Sequence, residues 1–313
     1  MNIVFIGSAN FSLSSFNEIL HSNHQVLCLV TSPEKKAGRG LKPHKNPLVS
    51  LALKHNIEVR RPEKISDEKT IKDILSFKPD AIVVVAYGQK IPKELLFTPP
   101  FKCINVHGSL LPRWRGASPI HYAILEGDKK TGVTTMLMEE SMDTGDILLQ
   151  EEIDIPQEST TATLHDILAP LGAKLIVKTL NGLEENEIKQ IHQDTSLVTL
   201  AKKIKKEQGL IDFKKPAEFI SRMVRAFDPW PGSFFYCNNK QIKVWKCRLI
   251  NDTVMANSKM GCVLSKSSSD GLLIQTGTVP IRLEIVQMEG KSKMNDVDFL
   301  NGHPEFFNAI LSD

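Results

Sequence analysis

The chain has 313 residues, 41% of them hydrophobic and 24% charged, the composition of an ordinary globular protein long enough for two cores and unlike a disordered or collagenous chain. Cys28, Cys103, Cys237, Cys247 and Cys262 are scattered without C-x-x-C spacing, which argues for reduced thiols and against a zinc site. From Lys202 onward 17 Lys and Arg face 12 Asp and Glu, against 22 and 24 before it, so the excess behind the net charge of +3 sits in the last third, as in a module that meets a polyanion.

Residues 3–6 read as a buried strand. No basic n-region, cleavage site or Arg-rich transit segment precedes it, and no apolar run approaches the ~20 residues of a membrane span, so a cytoplasmic protein is expected. A helix over 11–20 and a strand over 24–31 follow. Gly7-Ser8-Ala9-Asn10-Phe11 supplies one glycine where a dinucleotide fold wants G-x-G-x-x-G, which disfavours a nicotinamide cofactor. The loop 31–47 then gathers Lys35, Lys36, Arg39, Lys42 and Lys45 against Glu34 alone, with Gly38 and Gly40 beside the arginine. Such a run cannot enter a core; by charge it is a solvated connection or an anion-binding element, with solvation the commoner case. Helices over 46–55 and 67–77 flank a short strand at 58–60, and the β-branched run 81–86 reads as a central strand. Tyr87-Gly88-Gln89-Lys90-Ile91-Pro92 is a turn.

The stretch Cys103-Ile104-Asn105-Val106-His107 alternates as a strand does, then breaks into Gly108-Ser109-Leu110-Leu111-Pro112-Arg113-Trp114-Arg115-Gly116. Residues two apart share a face, so the Asn105 amide and His107 imidazole converge at the strand's carboxyl end, where open α/β sheets place their ligands. Taken alone, Asn-x-His at a strand end is turn chemistry as readily as catalysis. A helix over 117–125 and strands over 131–138 and 146–155 follow. Between those strands Asp143 occupies a Gly-containing turn, and an Asp beside an imidazole can orient it and stabilise its cation.

Residues 161–183 have the pattern of a long amphipathic helix, after which the chain turns polar and irregular. Lys202-Lys203-Ile204-Lys205-Lys206 groups four cations around one apolar residue, a solvated face or a phosphate contact. A helix over 216–226 ends at the rigid turn Phe227-Asp228-Pro229-Trp230-Pro231-Gly232. Short alternating runs at 233–236, 240–249, 261–264, 271–276 and 279–287 suggest a small β-barrel with Trp230 and Trp245 in its core, closed by a helix from Met294 to Phe307. The expected fold is α/β: a Rossmann-like parallel-sheet N-terminal domain over 1–184, a linker over 185–204, and a small OB-like β-barrel domain over 205–313.

The run Asn105-x-His107-x-Ser109-Leu110-Leu111-Pro112, followed by Asp143-Thr144-Gly145-Asp146, resembles the folate-dependent formyltransferase family. Its extension through Arg113-Trp114-Arg115-Gly116, with Ala37-Gly38-Arg39-Gly40, Pro229-Trp230-Pro231 and Val244-Trp245-Lys246, is similar to the branch acting on methionyl initiator tRNA. The resemblance spans Asn2 to about Ala309. It implies 10-formyltetrahydrofolate as co-substrate and methionyl initiator tRNA as partner. No metal is expected from the cysteine spacing, and with nothing like an obligate dimer surface in the sequence a monomer is the default expectation. The resemblance also implies Asn105, His107 and Asp143 as catalytic residues, and a folate pocket of Gln89, Ile91, Ser109, Leu110, Leu111 and Pro112. tRNA contacts would come from Lys35, Lys36, Arg39, Lys42, Lys45, Lys203, Lys205 and Lys206. Formyl transfer to an amine needs oxyanion stabilisation and proton management but no covalent nucleophile. Asn105 can donate to the oxyanion, and His107 with Asp143 can donate and move a proton. Glycinamide ribonucleotide and amino-sugar nucleotide formyltransferases would share the three polar residues but lack the Gly-Arg-Gly loop and this type of barrel. A noncatalytic folate- or RNA-binding module would need none of the three.

Overall fold

The computed structural model describes residues 1–8, 10–34, 46–250, 258–307 and 309–311. The basic loop residues Lys35, Lys36, Arg39, Lys42 and Lys45 lie outside them. The chain folds as two units, one of Met1–Pro119, Lys130–Asp154 and His165–Ala201, the other of Ile120–Lys129, Ile155–Leu164 and Lys202–Asp313. The chain thus alternates between units, and the stretch expected as a linker groups with the first unit as far as Ala201.

In the first half of the chain, strands and helices alternate: β1 (Asn2–Gly7), α1 (Asn10–Leu20), β2 (Gln25–Val30), α2 (Pro47–Lys54), β3 (Glu58–Arg60), α3 (Glu68–Ser76), β4 (Ala81–Val85), α4 (Lys93–Phe97) and β5 (Cys103–His107). Then come β6 (Arg115–Gly116), α5 (Pro119–Leu125), β7 (Lys130–Leu137), β8 (Ile147–Asp154), α6 (Thr161–Glu184) and β9 (Leu200–Ala201). The main sheet runs β3-β2-β1-β4-β5-β7-β8, and its first five strands pair in parallel. All five residues of β4 are buried, as a continuous apolar run must be when both faces of a sheet are covered. At α2, Asn46 accepts from Leu48 N at 3.0 Å and Pro47 takes the first helical position, so an orphan donor is satisfied and the missing Pro N–H costs nothing.

β7 departs from the expected all-parallel sheet: it pairs antiparallel with both β5 and β8. Between β7 and β8 the reason is connection length, since parallel neighbours need a crossover of roughly a dozen residues or more and the Asp143 turn is shorter. On β5, Val106 faces α6, where a side chain on Gly172 would press against Val106 Cγ1 at 2.8 Å. By strand alternation Asn105 and His107 point to the other face. That face also buries Cys103 with Ile91, Leu95, Val84 and Ile82.

In the second unit α7 (Ala217–Ala226) is followed by β10 (Ser233–Cys237), β11 (Lys240–Leu249), β12 (Leu273–Ile274), β13 (Ile281–Met288), β14 (Met294–Asn295) and α8 (Asp296–Gly302). The strands form an antiparallel sheet, β10-β11-β13-β12 with β14 on β13, an OB-like half-barrel. Residues 261–264 contribute single bridges instead of the expected strand. Arg222 Nε donates to Leu125 O at 2.9 Å and Thr161 Oγ1 to Ala226 O at 2.6 Å, tying both early excursions of the chain to α7. The tryptophans depart from expectation. Trp230 is 51% exposed while Phe227, 2% exposed, anchors its turn. Trp245 is half-buried because its neighbours Val244 and Ile242 take the inward positions of β11. Lys293 Nζ caps its ring at 3.5 Å from the centroid.

Candidate active site

β5 delivers two polar side chains to its carboxyl end. Asn105 Nδ2 donates to Val84 O on β4 at 2.9 Å. That uses one of two amide N–H groups, fixes which end of the amide is the nitrogen, and leaves a second donor. His107 is 6% exposed, and its Nε2 lies 2.9 Å from Trp114 O. A carbonyl only accepts, so Nε2 carries a hydrogen and the neutral ring has its lone pair on Nδ1. Nδ1 faces Asp143 Oδ2 at 3.7 Å. The imidazole can therefore accept a proton at Nδ1, and can donate from that atom only once charged.

The turn that carries Asp143 is held from several directions. Asp143 Oδ2 accepts from Gly116 N at 2.8 Å. Its backbone takes φ +55°, a left-handed conformation that Asp tolerates better than most residues. Gly145, two residues on, lies so close to β7 that a Cβ would overlap the Leu137 carbonyl. Gln193, 2% exposed, donates from Nε2 to Asp143 O at 2.9 Å and Gly145 O at 2.7 Å. Its Oε1 accepts from Arg115 Nε at 2.9 Å. Trp114 N donates to Thr199 Oγ1 and Arg115 N to Thr199 O, both at 2.9 Å, and β6 pairs with β9. Sequence reasoning missed Gln193, Arg115 and Thr199. Gln193 and Thr199 fall in the polar stretch read as a linker, where no periodicity marks them.

The expected folate residues separate into groups. Gln89 Nε2 donates to Glu63 O at 3.1 Å and its Oε1 accepts from Ile65 N at 2.9 Å, while the Ile91 side chain is buried in the core. Both side chains brace the turn. Its backbone polar groups from Gly88 to Ile91 form no backbone–backbone hydrogen bond among the described residues, and Gly88 faces open space. A polar heterocycle could pair with that edge. Ser109 and Leu111 are buried: Ser109 Oγ donates to Arg113 O at 2.6 Å, Leu111 packs with Met136 and Ile147, and Thr134 Oγ1 donates to Ser109 O at 2.7 Å. Leu110 and Pro112 remain half-exposed, so the apolar shelf narrows to these two. Arg113 stacks on Trp114, its guanidinium 4.2 Å from the ring centroid.

Burial pushes the Cys103 thiol far up, and its Sγ donates to Leu95 O at 3.3 Å, so it packs and does not attack. Burial likewise raises Cys28 to about 12. Among the described residues no group of His, Cys, Asp and Glu could hold a metal ion. In the second unit Lys203, Lys205 and Lys206 are exposed around the buried Ile204.

Residues 1–180 match the family described as formyl transferase, and residues 203–304 match formyl transferase, C-terminal domain. The methionyl-tRNA formyltransferase of Caldanaerobacter subterraneus is 40% identical over 304 residues, covering 97% of each chain. In solved structures, WlaRD, a sugar 3N-formyl transferase seen with dTDP and 5-N-formyl-THF, superposes with a TM-score of 0.66 at 21% identity, covering 93% of this chain and 99% of that one. HypX from Aquifex aeolicus in complex with tetrahydrofolic acid gives 0.62 at 17% identity over 95% of this chain. This chain spans 46% of the HypX chain, and at these identities both likenesses bear on the fold alone.

Proposed function

This chain belongs to the methionyl-tRNA formyltransferase family, and on that premise we propose how its residues perform the reaction. The protein is a transferase that moves the formyl group of 10-formyltetrahydrofolate to the free amino group of methionyl initiator tRNA. We assign the chemistry to residues 1–184 and initiator tRNA contacts to the 31–47 loop and the basic face of 205–313 with Lys203, in a monomer working in the cytoplasm, where translation uses the product.

Formyl-folate supplies an activated acyl carbon; the chain binds it, stabilises charge and moves protons. The open backbone from Gly88 to Ile91 takes the polar edge of the pterin, braced by the Gln89 side chain, and Leu110 with Pro112 supports its flat face. Asn105 aims its uncommitted N–H at the oxygen that becomes negative as the amine attacks, an interaction worth about 3 kcal/mol of the barrier. His107 takes the proton released by the attacking nitrogen on Nδ1, beside the Asp143 carboxylate, and returns it as the folate nitrogen leaves. Proton and charge therefore balance within the pair.

The observation that carries this reading is the His107–Asp143 pair, formed across thirty-six positions of sequence at 3.7 Å on the same side of β5 as an amide with a free N–H. The test is transfer of labelled formyl from folate to aminoacylated initiator tRNA. Asn105→Ala should lower turnover by about 10²–10³-fold while tRNA retention on a filter is unchanged. A variant as fast as wild type would remove Asn105 from the mechanism.

A further inference from the structure

The residues 191–201, outside both domain patterns in sequence, grip the reacting pair from two sides. On one side Ile191 exchanges backbone hydrogen bonds with Ile147 at 2.8 and 2.9 Å, and His192 Nδ1 meets Asp146 Oδ1 at 2.9 Å. Gln193 spans the Asp143 turn by its two carbonyl contacts. On the other side Thr199 and β9 fix residues 114–116, which supply the carbonyl that orients His107 and the N–H that holds the Asp143 carboxylate. Arg115 joins the two sides through the Gln193 oxygen. Every hydrogen-bonding group of the Gln193 amide is thereby used, at a residue 2% exposed, and one of the two carbonyls it holds belongs to Asp143, at positive φ.

We propose that Gln193 is a positioning residue for formyl transfer: its amide holds the Asp143 turn so that the carboxylate stays against His107. The argument rests on the assigned role of that pair. An apolar side chain of similar length removes both donors and the acceptor together, leaving one buried and one part-buried carbonyl unpaired and the turn free to relax. A misplacement on the order of 1 Å at a reacting group costs about 10²-fold, and because Gln193 is buried with its amide engaged by the protein itself the loss falls on kcat.

The experiment measures kcat and both KM values for Gln193→Leu and Gln193→Ala, each alone and combined with Asp143→Asn, with thermal midpoints recorded throughout. Expected is a kcat about 10²-fold lower, KM values for formyl-folate and methionyl-tRNA unchanged, and no further loss beyond about twofold when Asp143 is already Asn. A purely structural role would multiply with Asp143→Asn. Multiplied losses, a change confined to KM, a wild-type rate, or failure of both variants to fold would each overturn the inference. If Asp143→Asn is slow and Gln193 fails these criteria, only the positioning role falls. If Asp143→Asn is itself as fast as wild type, the mechanism falls first.

Discussion

Replacing Asp143 with Asn isolates the charge at the reacting pair. The two side chains are nearly isosteric, and an amide oxygen can still accept from Gly116 N, which the carboxylate does at 2.8 Å, so the turn should survive. In triads where the aspartate selects the imidazole tautomer, this change costs about 10⁴-fold because the ring adopts the wrong one. Here the Trp114 carbonyl holds the hydrogen on Nε2, and that part of the loss disappears. What remains is the attraction between carboxylate and imidazolium. At 3.7 Å and an effective dielectric of ~20 it amounts to about 4 kcal/mol, or about 10³-fold in rate. Single-turnover formyl transfer at saturating folate and charged tRNA measures it directly. A rate within about tenfold of wild type would show that His107 carries no positive charge at the transition state. A loss beyond about 10⁴-fold, with the fold intact, would make Asp143 the base in place of the imidazole.

In the second unit, Arg282 grips Asp296 through Nε at 2.6 Å and Nη2 at 3.1 Å, and Leu272 and Val297 N–H groups donate to the same carboxylate at 3.0 Å. Asp296→Asn removes the carboxylate charge that Arg282 grips and turns one acceptor oxygen into an NH2 facing its donors, which should cost about 3 kcal/mol in urea unfolding; a loss under about 1 kcal/mol would contradict this. Burial pushes the Asp296 carboxyl up, but Arg282 and the two N–H groups outweigh it and hold the carboxyl below its ordinary value. Its contribution is therefore complete above about pH 4 and fades as pH falls through the depressed folded value, so the wild-type and Asn melting curves should converge in acid. Replacing Lys203, Lys205 and Lys206 together with Gln should lower the slope of log affinity against log salt for initiator tRNA by about 2 to 3. An unchanged slope would leave these exposed lysines merely solvated.

Where packing constrained every residue, the sequence pattern was legible. Residues 58–60 and 240–249 form strands with those bounds, and the apolar run of β4 is buried throughout. The direction of β7 was not legible, because period-2 alternation is the same whether a strand runs up or down its sheet. α4, with five residues, is too short to display a helical period, and β6 and β9, two residues each, carry no pattern. Trp230 misled because size suggested burial, whereas the turn needed one buried anchor and Phe227 supplies it.

The proposed reacting groups are more conspicuous in the sequence than the groups that hold them. Asn105, His107 and Asp143 stand out because an amide, an imidazole and a carboxylate near strand ends are chemically conspicuous. The Trp114 carbonyl is backbone, and any residue type at position 114 would provide one, so composition cannot announce that Nε2 is already committed. Yet in the proposed mechanism that contact matters most, confining proton exchange to Nδ1, on the side of Asp143. Gln193 was hidden for a related reason: a buried amide in an irregular polar stretch looks like any solvated glutamine until its acceptors, two turn carbonyls nearly fifty residues earlier, are brought to it by folding. The stretch 185–204 reads as a linker because nothing in it repeats, and it fails to repeat because its residues answer individually to positions on Trp114, Arg115, Asp143 and Gly145. Irregularity of this kind is what a segment acquires when its partners are single hydrogen-bonding groups and not the face of a sheet.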